Sequence, residues 1–135
     1  MPRFVILEHD HPRLHWDFLL ETGGELASWR LLEEPGPGRS VPAEPAPPHR
    51  RLYLDYEGPV GGGRGRVARW DAGNFSGDIT SSVTLTGSRL RGVARLNPDG
   101  EGWRWVFADS VLSPQSSALS PDRPQCGERR DDAGG

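Results

Sequence analysis

Apolar and polar residues alternate in short runs along this chain, and nearly every run is closed by glycine, proline or an Asx-type turn. Alternation sends successive side chains to opposite faces of a strand, whereas a helix needs a period near 3.6 that no segment here sustains. Arg3 to Glu8 is β-branched and aromatic. After Asp10-His11-Pro12, residues His15 to Glu21 set His15, Asp17 and Leu19 against Trp16, Phe18 and Leu20. Gly23-Gly24 is a hairpin signal leading into Glu25 to Leu31, so the first thirty residues predict a meander.

Arg51 to Tyr56, Arg64 to Trp70, Ser81 to Thr86, Arg89 to Leu96 and Gly102 to Phe107 read as further strands. Gly58 to Gly65, Asp71 to Asn74, Gly87-Ser88 and Asn97-Pro98-Asp99-Gly100 read as the turns between them. Glu33 to Pro48 carries six prolines in sixteen residues, which predicts a surface loop or polyproline stretch and argues against a central strand. The expected fold is mainly β: a compact, closed or partly open antiparallel β-barrel of about eight strands with little helix. Residues 1–110 would form that domain. Residues 111–135, dominated by Ser, Pro, Gly and charge, would be a disordered tail. Trp103 and Trp105 would share a face and enter the core, and packing is the expected role for most of the five tryptophans.

Composition narrows the chemistry. There is no apolar run of about 18 residues for a membrane span, and the N-terminus lacks the long apolar stretch of a signal peptide, so a cytoplasmic protein with no membrane partner is expected. Cys126 is the single cysteine, which leaves any metal to nitrogen and oxygen ligands. All sixteen basic residues are arginine, which excludes a P-loop lysine, a Schiff base and a lysine nucleophile. The net charge of −3 provides no global attraction to nucleic acid, although Arg64, Arg66 and Arg69, with Arg89, Arg91 and Arg95, could form a local basic face.

The four histidines, His9, His11, His15 and His49, all fall in the first 49 residues. On an alternating strand His15 and Asp17 point the same way, so one rigid element offers an imidazole and a carboxylate, a donor pair suited to Mn, Fe, Zn or Ni. His9 lies six residues before His15, and His49 supplies a further imidazole from a separate segment. His11, in a turn beside Pro12, is set aside. By spacing, His15, Asp17 and His49 also satisfy the two-histidine, one-carboxylate triad of iron(II) oxygenases, so that class stays open as a third reading.

The stretch Phe4-Val5-Ile6-Leu7-Glu8-His9-Asp10, then Arg13-Leu14-His15-Trp16-Asp17-Phe18, Leu20-Glu21 and Ser28-Trp29, resembles the opening of the 3'-phosphoesterase domain of bacterial DNA ligase D. The resemblance continues through His49, Tyr53, Glu57-Gly58 and Val67-Ala68-Arg69-Trp70-Asp71-Ala72-Gly73, and covers residues 3 to 107. It implies a compact barrel with a manganese-dependent site that removes a 3'-phosphate or 3'-ribonucleotide from a nucleic-acid 3' end during DNA end joining. Carried over position by position, it makes His9, His15 and Asp17 the ligands of Mn2+ or a similar divalent metal. His49 and Tyr53 come to the scissile phosphate, with Arg13 retained beside them. This moves His49 from the metal, where spacing alone could put it, to the phosphate.

Three positions depart from the family pattern: Leu19 replaces an arginine, Leu7 a glutamine and Glu33 a lysine. Each loss of a charge-assisted phosphate contact costs about 1.5–3 kcal/mol. The metal end of the site therefore reads as complete and the anion-holding end as depleted, with Arg30 and Arg39 as possible substitutes. Without the polymerase and ligase domains of the larger enzymes, the chain reads as a stand-alone module, expected to be monomeric. It would work alone or with repair proteins. The second reading is a catalytically weak or inactive metal-binding module that grips nucleic-acid ends or a repair partner.

Overall fold

A computed structural model describes residues 1–108. The expected disordered tail, 111–135, lies outside the described residues. Nine strands form in chain order: β1 (Arg3–His9), β2 (His15–Glu21), β3 (Leu26–Leu31), β4 (Ser40–His49), β5 (Gly58–Pro59), β6 (Arg66–Asp78), β7 (Ser82–Gly87), β8 (Arg91–Asp99) and β9 (Gly102–Phe107). Eight of them close into an antiparallel barrel in the order β1-β2-β3-β4-β9-β8-β7-β6, sealed by pairing of β6 back onto β1, with β5 outside. The barrel expected from alternation is thus the observed fold. Among the described residues no helix is long and apolar enough to cross a membrane.

The two faces of the barrel wall bury different residues. Phe4, Ile6, Trp16, Phe18 and Leu20 turn inward to meet Trp105 and Phe107. Phe18 is the hub of that interior, with ring centroids 5.1 Å from Trp105, 5.9 Å from Phe107 and 6.1 Å from Phe4. Such pairs add roughly 0.5–1.5 kcal/mol each beyond area burial. The alternate positions Val5, Leu7 and Leu19 face outward, yet they are also buried, with Leu26, Leu54 and Val67, in a second apolar cluster. Residues 50–65 form the cover over this outer patch, and that cover makes a cavity on the outside of the barrel.

Four expectations are corrected. The proline-rich segment contains β4, which pairs with β9 from Ser40 to Ala43 and with β3 from Ala43 to Ala46 and at His49. Beyond Ala43 no strand among the described residues pairs with its β9 side, an edge position in which prolines are tolerated. Pro42 still accepts, through its carbonyl, a bond from the Leu32 N–H at 2.9 Å. Arg51 to Tyr56 is a single 3-10 turn over Arg51–Leu54 in place of a strand, because β1 beneath it is already paired on both sides. Leu54 plugs the outer patch instead.

Asp71 to Asn74 does not turn. β6 runs through it, and Asp71 spends its carboxylate on a neighbouring turn: Oδ1 accepts the N–H groups of Ala72, Ser88 and Arg89, and Oδ2 that of Leu90, at 2.8–3.1 Å. β6 and β7 approach so closely there that a Cβ on Gly73 would stand 2.0 Å from the Thr86 carbonyl. Trp103, on the core-facing side of β9, lies at the barrel end and is 39% exposed, whereas Trp105 is fully buried.

Candidate metal centre and its cavity

His9 and His15 are direct cross-strand partners in the β1–β2 ladder, and Asp17 lies two residues further along β2 on the same outward face. Their ligand atoms all fall within 4.8 Å of one another. His9 Nδ1 is 3.2 Å from Asp17 Oδ2, and His15 Nε2 is 3.0 Å from Asp17 Oδ1. His15 and Asp17 are buried; His9 is the most accessible member, with 16% of its side chain exposed.

Two backbone carbonyls set the tautomers. His9 Nε2–H donates to the carbonyl of Arg64 at 2.8 Å, and His15 Nδ1–H donates to that of Arg13 at 2.8 Å. A carbonyl only accepts, so His9 Nδ1 and His15 Nε2 are the ring nitrogens that face Asp17: each donates a proton to the carboxylate when its ring is charged and offers a lone pair to a metal when it is neutral. Fixing a ligand's tautomer through its second nitrogen is the usual support of a histidine metal site. Two imidazole nitrogens and a carboxylate, held on two paired strands, fit a divalent metal of the Mn, Fe or Zn type.

The electrostatics express the same arrangement. Burial disfavours the charged form of His15, but the hydrogen bond from its ring to Asp17 and the charge of that carboxylate outweigh burial, so its pKa lies above the ordinary value. Burial likewise favours protonation of Asp17, yet the His15 hydrogen bond, with the charges of His15, His49 and His9, holds its pKa below the ordinary range. The carboxylate is thus held in its ionised form by the histidines around it.

The three residues sit in the wall of a cavity of about 390 Å3, within the range of small-ligand sites. His49 and Tyr53 form part of the same wall, with ring centroids 5.6 Å apart in an edge-to-face contact. His49 Nδ1–H donates to the Pro47 carbonyl at 3.2 Å, which leaves its Nε2 uncommitted. His49 stays outside the three-residue cluster, so the iron-type triad suggested by spacing, His15, Asp17 and His49, is not the group that the fold gathers. Arg13 is exposed and its side chain does not line the cavity; only its carbonyl serves the site.

The altered positions divide by location. Leu7 lines the cavity, Leu19 is fully buried in the outer patch, and Glu33 is exposed, paired at 3.9 Å with Arg39 away from the cavity. Arg30 is the residue that sequence reasoning named but could not place: it stands opposite Asp17 in the β2–β3 ladder and lines the cavity. The signal was available, because the β2–β3 hairpin pairs Glu21 with Leu26 and counting back along both strands brings Asp17 to Arg30. Arg50, Val60 and Arg64, which come from the covering segment, had no such signal.

The fold and site together define a compact β-barrel domain with two histidines and a carboxylate gathered in the wall of a surface cavity. A family model for the DNA ligase D 3'-phosphoesterase domain matches residues 7–97, and the chain belongs to that family. It is 31% identical over 140 aligned positions to the multifunctional non-homologous end joining protein LigD of Pseudomonas aeruginosa, covering 90% of this chain and 16% of the relative. It is 32% identical over 116 positions to the LigD proteins of Mycobacterium bovis and Mycobacterium tuberculosis, covering 74% of this chain and 15% of each relative. The chain therefore spans about a sixth of the length of these relatives.

Proposed function

We propose that this protein is a metal-dependent 3'-phosphoesterase that removes a 3'-phosphate or 3'-ribonucleotide from nucleic-acid ends in DNA end joining. The observation that carries the reading is the convergence of the His9–His15–Asp17 cluster with His49 and Tyr53 on one cavity. Family membership and the end-joining names of the relatives support it.

His9 through Nδ1, His15 through Nε2 and Asp17 through its carboxylate would hold the metal. When bound, a divalent ion such as Mn2+ supplies Lewis-acid polarisation of a phosphoryl oxygen and a place where water ionises more readily. The residues of the chain do the rest. The Arg64 and Arg13 carbonyls keep both imidazoles oriented, so no reorganisation is needed when the phosphate arrives. Tyr53 offers its hydroxyl as a donor to charge developing on a phosphate oxygen. His49 Nε2 donates when the ring is charged and accepts when it is neutral, which suits it to protonating a leaving oxygen.

The test is release of phosphate or nucleoside from primers ending in a 3'-phosphate or a 3'-ribonucleotide, with and without Mn2+. Metal-dependent release by the wild type that His15→Ala abolishes is expected; release that His15→Ala leaves unchanged would refute the assignment. A second reading, an end-binding module without turnover, is favoured by the apolar Leu7 in the cavity wall. It predicts metal-dependent affinity for a 3'-phosphorylated end with no product formed.

A further inference from the structure

The cavity is far more cationic than the chain around it. Its net charge is −3 overall, yet Asp17 is the only carboxylate among the described residues lining the cavity, against three arginines, Arg30, Arg50 and Arg64. Asp17 is committed, with one oxygen on each histidine. Neutralising it with a metal or with protons leaves a positive wall without a counter-charge.

The three arginines differ in what they can do. Arg50 and Arg64 are exposed on the covering segment, and Arg64 Nε donates to the Gly61 carbonyl at 2.7 Å. Arg30 is half-buried on a rigid strand, and its Nε is inaccessible and has no hydrogen-bond partner; Glu44, opposite it in β4, is exposed and makes no ion pair with it among the described residues. A partly desolvated guanidinium left without an anion is costly, and its planar fork matches two oxygens of a phosphate. Its ladder partners are Asp17 on β2, which lines the cavity, and Glu44 on β4, which does not, so an anion held by Arg30 within the cavity lies beside the histidine–aspartate cluster. Leu19, on the neighbouring strand, is apolar, fully buried and outside the cavity lining, so it cannot hold an anion.

We infer that Arg30 is the anion-holding residue of this cavity, gripping the phosphate group presented to the His9–His15–Asp17 cluster. The inference rests on the phosphoesterase reading only for the statement that this phosphate is the terminal group of a strand. Arg30 thus occupies from β3 the place that the resemblance assigns to a residue of β2.

Binding of inorganic phosphate to the metal-free full chain tests this, followed by calorimetry and by the phosphate-dependent rise in Tm. Arg30→Gln should weaken phosphate binding roughly ten- to hundredfold, with Tm in phosphate-free buffer not lowered and Mn2+ affinity not weakened. Arg30→Lys, which keeps the charge and loses the fork, should fall between. Arg39→Gln, outside the cavity, should bind as wild type. Equal phosphate binding by wild type and Arg30→Gln, or no phosphate binding by wild type, overturns the inference.

Should Arg30→Gln fail to fold, amide shifts induced by phosphate in the wild type decide: shifts centred on Arg30 and Asp17 support it, and shifts elsewhere overturn it. Phosphate binding that depends on Arg30 without any primer hydrolysis would remove the phosphoesterase reading and keep this one. Primer hydrolysis indifferent to Arg30→Gln would do the reverse.

Discussion

His9 and His15 face each other across the β1–β2 ladder with ring centroids 4.8 Å apart, and Asp17 contacts both rings. The contact brings two imidazole nitrogens and a carboxylate oxygen within 4.8 Å of one another, a donor set suited to a divalent cation.

The roles of the two ends of the cavity are separable. Asp17→Asn should lower Mn2+ affinity by more than the 10–100-fold typical of losing a supporting partner of a ligand. His49→Ala and Tyr53→Phe should leave that affinity within about twofold and lower turnover by roughly 10²–10³. Calorimetric metal titration beside single-turnover kinetics measures both, and metal affinity lost in His49→Ala would return His49 to the ligand set.

The His15–Asp17 pair makes metal-free stability bell-shaped in pH. The His15 pKa is raised, so its contribution is fully present below the ordinary value of 6.5 and is lost as pH rises through the higher folded value. That of Asp17 is lowered, so its contribution is fully present above 3.8 and is lost as pH falls through the lower folded value. Stability from this pair should therefore be greatest between about pH 4 and 6.5. Mn2+ binding should run the other way, tightening as pH rises and His15 gives up its proton. Urea unfolding in chelator and metal titration across pH 4 to 9 would reveal either trend, and His15→Gln should flatten the alkaline arm.

Restoring the family's polar residues singly should not restore its chemistry. Leu19 is buried among Val5, Leu7, Leu26, Leu54 and Val67, so Leu19→Ala should cost about 2–4 kcal/mol. Leu19→Arg should cost at least as much, because a guanidinium would enter an apolar patch. Glu33→Lys breaks only an exposed 3.9 Å pair with Arg39 and should change stability by less than about 1 kcal/mol. Chemical denaturation settles the comparison; a Leu19→Arg protein as stable as wild type would mean that the guanidinium escapes the patch past Leu7 and Val67, which line both the patch and the cavity.

Asp71 holds the β7–β8 turn from a neighbouring strand. Asp71→Ala removes the acceptor for four backbone N–H groups and should destabilise by roughly 2–4 kcal/mol, with Asp71→Asn intermediate. Hydrogen exchange should show the loss first at Ser88, Arg89 and Leu90, and uniform loss along all strands would contradict a local role.

By itself the sequence determined the all-β barrel and the shared face of His15 and Asp17, because both are consequences of a period of two; it was the family resemblance that set His49 apart from the metal ligands. Alternation placed His15 and Asp17 on one face of β2 and brought His9 to the adjoining end of β1, all within one hairpin. Local pattern failed where a distant partner decided the outcome. Prolines entered β4 because, among the described residues, one side of that strand has no partner beyond Ala43. Arg51 to Tyr56 stayed out of the sheet because β1 had no free side. Asp71, a turn former by composition, became the anchor of another turn. Only the tertiary structure decided that the outward face of β1 and β2 is buried too, since its cover comes from residues 50–65. That cover turned a row of strand side chains into a cavity, seated Leu19 in packing and left Arg30 facing the space without an anion.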